Sequence, residues 1–77
     1  MTMKIAVLGA GAFGTAMAIT ASDRHEVTLW SRDAQQAELL NRSRLNERYL
    51  PGHPLPPMLR VSSAPLDAWV AEQDLLV

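Results

Sequence analysis

A doubly wound, parallel α/β sheet is the fold this sequence predicts, and three observations predict it. Short unbroken apolar runs, of which Ile5-Ala6-Val7-Leu8 is the first, alternate with stretches whose apolar residues fall at helical spacing. A glycine-rich turn, Gly9-Ala10-Gly11-Ala12-Phe13-Gly14, stands between the first run and the first helical stretch. The resulting order, strand–helix–strand–helix–loop–strand–helix–strand, is that of parallel strands joined by right-handed crossovers.

Each element has its own signal. Ile5 to Leu8 lacks polar alternation, as expected of a strand buried on both faces. Phe13, Ala16, Met17 and Ala21 share helical spacing and predict a helix from Ala12 to Ser22. Asp23-Arg24-His25 is a tight connection to a second strand, Val27-Thr28-Leu29-Trp30, rich in β-branched and aromatic types. Asp33 followed by Gln36 forms a capping-box-like start for a second helix, with Ala34, Ala37 and Leu40 as its apolar stripe. That pattern fails after Asn46. Pro51, Gly52, Pro54, Pro56 and Pro57 then predict an ordered loop with no helix or ladder of its own. Leu59 to Ser62 is the third strand. Pro65 suits the first turn of a third helix, whose face would be Leu66, Trp69 and Val70, with Trp69 in the core. Leu75-Leu76-Val77 is a fourth strand, expected beside the first in the spatial order 3-2-1-4. No turn residue or polar tail closes it, so residues 1–77 are expected to be the N-terminal portion of a longer domain.

Composition narrows the function classes. Seven basic and eight acidic residues leave a net charge of −1, which excludes a broad electropositive field for nucleic acid. With no cysteine there is neither a disulfide nor a thiolate metal ligand. The chain has no leader-like segment and no apolar run near the ~18 residues a membrane span needs, so a cytoplasmic protein without membrane insertion is expected. His25 and His53 have no carboxylate or second histidine at metal spacing. Arg42, Arg44 and Arg48 are expected at a solvated helix end, where cations suit the C-terminal dipole.

The chemistry lies in the glycines. Gly9-x-Gly11-x-x-Gly14 directly follows a predicted strand and opens a predicted helix, the context in which this spacing binds a dinucleotide on a Rossmann-type fold. Gly9 allows the tight turn, Gly11 lets a pyrophosphate approach the backbone, and Gly14 lets helix and sheet pack closely. The phosphates would meet unpaired N–H groups and the positive end of the helix dipole. The end of the second strand bears on which dinucleotide binds. Ser31 fills the position where an NAD site usually carries an acid for the ribose 2′-hydroxyl, and Arg32 follows it. A guanidinium attracts a 2′-phosphate through paired hydrogen bonds, which favours NADP or dual use. In the alternative reading Arg32 lies on a solvated helix start and Asp33 is the ribose ligand.

Beyond Leu40 the sequence becomes more specific. Asn41, Asn46, Tyr49-Leu50-Pro51-Gly52 and Leu55-Pro56 resemble the block after the second helix in NAD(P)-dependent glycerol-3-phosphate dehydrogenases. Ile5 to Gly11, Phe13-Gly14-Thr15-Ala16 and Leu29-Trp30-Ser31-Arg32-Asp33 extend the resemblance over nearly the whole chain. It implies a cofactor loop at Ala12 and Phe13, beside the pyrophosphate and the nicotinamide. It also implies a ribose or 2′-phosphate contact at Arg32 and a further nucleotide contact near the adenine at Tyr49. The family often has serine and tryptophan at the positions of Ala12 and Phe13, and glycine at that of Arg24.

The resemblance implies NAD or NADP as cofactor, dihydroxyacetone phosphate and sn-glycerol 3-phosphate as substrates, and a place in phospholipid synthesis. It also implies a homo-oligomer when full length. The catalytic lysine and the substrate-phosphate groups would lie beyond Val77, so residues 1–77 alone are expected to be inert. Two alternatives stand beside it. One is another Rossmann reductase, of the ketopantoate reductase or 3-hydroxyacid dehydrogenase type. The other is a non-catalytic dinucleotide-sensing module.

Overall fold

The computed structural model describes residues 2–77. Four parallel strands, β1 (Lys4–Leu8), β2 (Glu26–Trp30), β3 (Arg60–Ser62) and β4 (Leu75–Leu76), form one sheet in the order β3-β2-β1-β4. Helix α1 (Ala12–Ala21) joins β1 to β2, and α2 (Ala34–Ser43) leads from β2 toward β3. Strand order and parallel pairing match the sequence-based expectation.

Register decides which residues share a face. Ile5 pairs with Val27, and Val7 with Leu29, which pairs in turn with Val61. These five point to one side, where Ala18 of α1, Ala37 and Leu40 of α2, and Leu55 and Leu59 complete the core. Leu29, Leu40, Leu59 and Val27 are the largest fully buried apolar side chains, each contributing roughly 1.5–3 kcal/mol of transfer free energy. The other face carries Ala6, Thr28 and Trp30. The connection from β3 to β4 reaches this side, where Trp30 Nε1 donates to Ala64 O at 2.8 Å.

The third helix does not form. Residues 66–72 make two 3-10 turns, Leu66–Ala68 and Val70–Glu72, broken by Trp69 at φ −147°. Residues 63–74 must carry the chain from β3 across β2 and β1 to β4, three strand spacings or ~14 Å. The tighter, longer-rise 3-10 turn covers that distance with fewer residues than an α-helix. Trp69 is therefore half-buried over the sheet instead of lying in the core.

The buried face of α1 also differs from the expected one. Thr15 and Ala18 are buried, whereas Phe13 is 77% exposed. α1 is apolar almost all round, so hydrophobic spacing does not choose a face. Backbone proximity chooses it instead: α1 approaches the β1 turn through Gly14, and Thr15 lies on that side. Ser22 caps the helix end in ordinary right-handed geometry, its Oγ donating to Ile19 O at 2.8 Å. Arg24 therefore needs no left-handed φ, and both Arg24 and His25 donate their N–H groups to Ala21 O. His25 Nδ1 accepts from Met3 N, a structural contact.

At α2, Asp33 caps the N-terminus by accepting from Gln35 N and Gln36 N. The reciprocal half of the box is absent, because the Gln36 side chain is committed elsewhere. Arg44 is not part of a solvated helix end. It occupies the C-cap at φ 57°, and its guanidinium donates to Pro56 O at 2.7 Å and Leu59 O at 2.6 Å. Those two bonds and an isolated antiparallel bridge, Leu45 to Pro54, hold the proline loop, so it has a minimal pairing after all. Arg44→Ala removes both bonds, and a loss of about 1.5–3 kcal/mol is expected in urea unfolding.

Candidate dinucleotide-binding site

Gly9 leaves β1 at φ +123°, a conformation open to glycine, and its N–H donates to Trp30 O at 2.8 Å. The turn thus begins clipped to the end of β2. Ala10 is buried, and its carbonyl accepts from Gln36 Nε2 at 3.2 Å and Asn46 Nδ2 at 2.9 Å. Gly11 is the N-cap of α1 and supplies no side-chain cap. The N–H groups of the first turn, at Ala12, Phe13 and Gly14, have no carbonyl one turn earlier to pair with.

The three glycines have different physical reasons. A Cβ at Gly14 would collide with the carbonyl oxygen of Gly9, so this glycine is required by helix–turn packing. A Cβ at Gly11 would meet nothing within 4 Å, and Gly11 has an ordinary φ of −78°. Nothing in the chain itself needs a glycine there. The open space above Gly11 suits a group from outside, as the pyrophosphate reading requires.

Arg32 lies beside this turn. A groove of about 380 Å³ is lined by Leu8, Gly9, Ala10 and Gln36 on one side and Trp30 to Asp33 on the other. The Arg32 side chain is exposed and belongs to neither ion pair found among the described residues, Arg42–Glu38 and Arg60–Glu26. Ser31 behaves differently. It is buried, accepts from Asp33 N at 3.2 Å and donates to Gln36 Oε1 at 2.6 Å, so its hydroxyl is already engaged. Asp33 borders the same groove with Oδ1 committed to the helix cap.

Tyr49 lies in a second groove of about 550 Å³, between α2 and the loop that follows, which shares Asp33 and Gln36 with the first. The Arg48 guanidinium sits 5.1 Å from its ring centroid, a cation–π contact that takes Arg48 out of the expected helix-end set. Phe13 projects from the first turn of α1 and lines neither groove. A third groove, of about 460 Å³, lies on the opposite face beside Thr28, Arg60 and Trp69, and contains no glycine of the turn. Among the described residues no cluster of His, Asp or Glu could hold a metal, and no helix is long and apolar enough to cross a membrane.

Spacing alone did not reveal Asn46 and Gln36 as part of this site. Both reach Ala10 from across the fold, and the one available signal was an asparagine at the point where the second helical pattern fails.

Comparison with known proteins places this geometry. The model of the NAD-dependent glycerol-3-phosphate dehydrogenase N-terminus matches residues 4–77. The chain belongs to this family. A glycerol-3-phosphate dehydrogenase (NAD(P)+) of Acidovorax sp. (strain JS42) is 55% identical over 97% of the chain, and one of Variovorax paradoxus (strain S110) is 56% identical over 97%. The matches cover 24% and 22% of those relatives, so the chain spans about a quarter of their length. The crystal structure of a glycerol-3-phosphate dehydrogenase from Coxiella burnetii superposes with a TM-score of 0.81 at 31% identity, over 97% of this chain and 23% of that one. Membership in the glycerol-3-phosphate dehydrogenase family decides against the ketopantoate reductase and 3-hydroxyacid dehydrogenase alternatives.

Stability measurements separate Gly14, which packing requires, from Gly11, which it does not. Gly14→Ala is expected to destabilise the fold by about 1–3 kcal/mol, because the obstructing atom belongs to the backbone and cannot rotate away. Gly11→Ala is expected to stay within about 1 kcal/mol of the unaltered protein, both read from thermal melts.

Proposed function

We propose that this chain seats NAD(P)H as the N-terminal part of a glycerol-3-phosphate dehydrogenase. The enzyme would interconvert dihydroxyacetone phosphate and sn-glycerol 3-phosphate for phospholipid synthesis. One observation carries the reading: the fold leaves Gly11 without a side chain for no reason internal to the chain, at the uncapped start of a helix. Family membership supplies the reaction class.

Gly9, Gly11 and Gly14 shape the turn that receives the pyrophosphate, and the first-turn N–H groups of Ala12, Phe13 and Gly14 hold its oxygens. Ala12 has no hydroxyl to add a phosphate bond. Phe13 offers an exposed aromatic surface toward the nicotinamide side. Arg32 contacts the adenosine ribose and, in NADPH, the 2′-phosphate. Tyr49, stiffened by Arg48, bounds the adenine side.

The cofactor's part is to supply a hydride to the substrate's carbonyl carbon while the resulting oxyanion takes a proton. Among the described residues, the groove at the glycine turn is lined by no lysine or histidine that could give that proton. The acid, a lysine, and the substrate-phosphate groups belong to sequence beyond residue 77, within a cytoplasmic homo-oligomer. Residues 1–77 alone would be inert toward dihydroxyacetone phosphate.

Two substitutions in the full-length enzyme test the reading. Gly11→Val should abolish binding of both dinucleotides by calorimetry while circular dichroism stays unchanged; near-normal affinity would make the turn purely structural. Arg32→Ala should cost NADPH about 10- to 150-fold in affinity and NADH far less, since only NADPH presents the 2′-phosphate to a charge-assisted contact. Equal losses would assign Arg32 to general adenosine packing.

A further inference from the structure

The glycine turn is oriented from beneath by two side-chain amides from outside the glycine motif. Ala10 O accepts from Asn46 Nδ2 at 2.9 Å and from Gln36 Nε2 at 3.2 Å, so both lone pairs of one carbonyl are taken. Asn46 is 2% exposed, and its second N–H donates to Thr15 Oγ1, itself fully buried, at 2.8 Å. Both N–H groups of this amide are used, one on the turn and one on the helix that follows. Gln36 is held in turn by Ser31, whose hydroxyl donates to Gln36 Oε1 at 2.6 Å while accepting from Asp33 N.

The consequence follows from the peptide unit. A trans peptide is planar, and its carbonyl and N–H point in opposite directions. With Ala10 O drawn inward to Asn46 and Gln36, the N–H of Gly11 is turned outward, and it donates to no group among the described residues. It points away from the Asn46 and Gln36 amides and is free to meet a ligand, next to a Cα that carries no side chain and has open space around it. Rotation of this one peptide would turn an N–H donor away and present a carbonyl oxygen to the phosphates.

We propose that Asn46 and Gln36 are positioning residues that set the Ala10–Gly11 peptide for pyrophosphate binding, an inference that rests on the dinucleotide reading of the site. The Ser31–Gln36 link extends this control to the end of β2. A serine at the position where an acid is expected thus works as a brace for the turn and not as a ribose ligand.

Asn46→Asp and Gln36→Met in the full-length enzyme test it, with Kd for NADH and NADPH measured at a temperature where circular dichroism shows each variant folded. Each variant removes a donor to Ala10 O with little change of side-chain size. Because the pyrophosphate is common to both cofactors, the affinities should fall in parallel, about tenfold for Asn46→Asp and about threefold for Gln36→Met. The change should fall more on the cofactor KM than on kcat. A merely structural role would lower the melting temperature without changing the Kd of the folded protein. Should Asn46→Asp fail to fold, the half-buried Gln36→Met decides alone. Unchanged Kd in the folded variants, or a loss confined to NADPH, overturns the inference while leaving the site reading intact. Failure of the unaltered enzyme to bind either dinucleotide overturns both.

Discussion

The approach of α1 to the turn leaving β1 is the contact on which the rest of this structure depends. Gly14 packs so closely on the Gly9 carbonyl that no side chain fits between them. That contact places the first turn of α1, with its unpaired N–H groups, against the turn that leaves β1. It also selects the buried face of a helix whose own hydrophobic pattern selects none, which turns Thr15 and Ala18 inward and leaves Phe13 outside. Had α1 packed on Phe13 and Met17, Thr15 would be out of reach of Asn46.

Polar groups do as much as apolar ones to locate the site. The core is a single layer between the sheet and two helices, and it positions elements only to the tolerance of side-chain packing. Finer placement comes from hydrogen bonds that span the chain: Gly9 to Trp30, Asn46 and Gln36 to Ala10, and Arg44 to Pro56 and Leu59. Each ties a turn or loop to a residue of another element through a backbone carbonyl. Buried carbonyls without partners are costly, so these bonds specify one arrangement of the loops more sharply than apolar contact does.

The two ends of the candidate site are thereby coupled. Ser31, Gln36 and Ala10 form a continuous path from the strand end that carries Arg32 to the turn that would hold phosphate. This path also explains why Gln36 does not complete the capping box. Its amide is engaged by a buried hydroxyl and a buried carbonyl, and the N–H of Asp33 already donates to Ser31 Oγ.

From the sequence alone came the strands, the two α-helices, the strand order and the glycine turn, together with Arg32 at the end of β2. These are local matters: apolar runs, helical spacing and the conformational freedom of Gly9 act within a few residues, so a linear reading reaches them. Tertiary structure decided the rest. It chose the buried face of α1, replaced the third helix with 3-10 turns across a short crossover, tied the Ser31 hydroxyl to Gln36, made Arg44 a loop clamp and brought Asn46 to Ala10. Asn46 and Ala10 stand 36 positions apart, and no periodicity links them. Their meeting depends on where α1, α2 and the loop after α2 come to rest, and that is set by packing and by the need of each buried polar group for a partner.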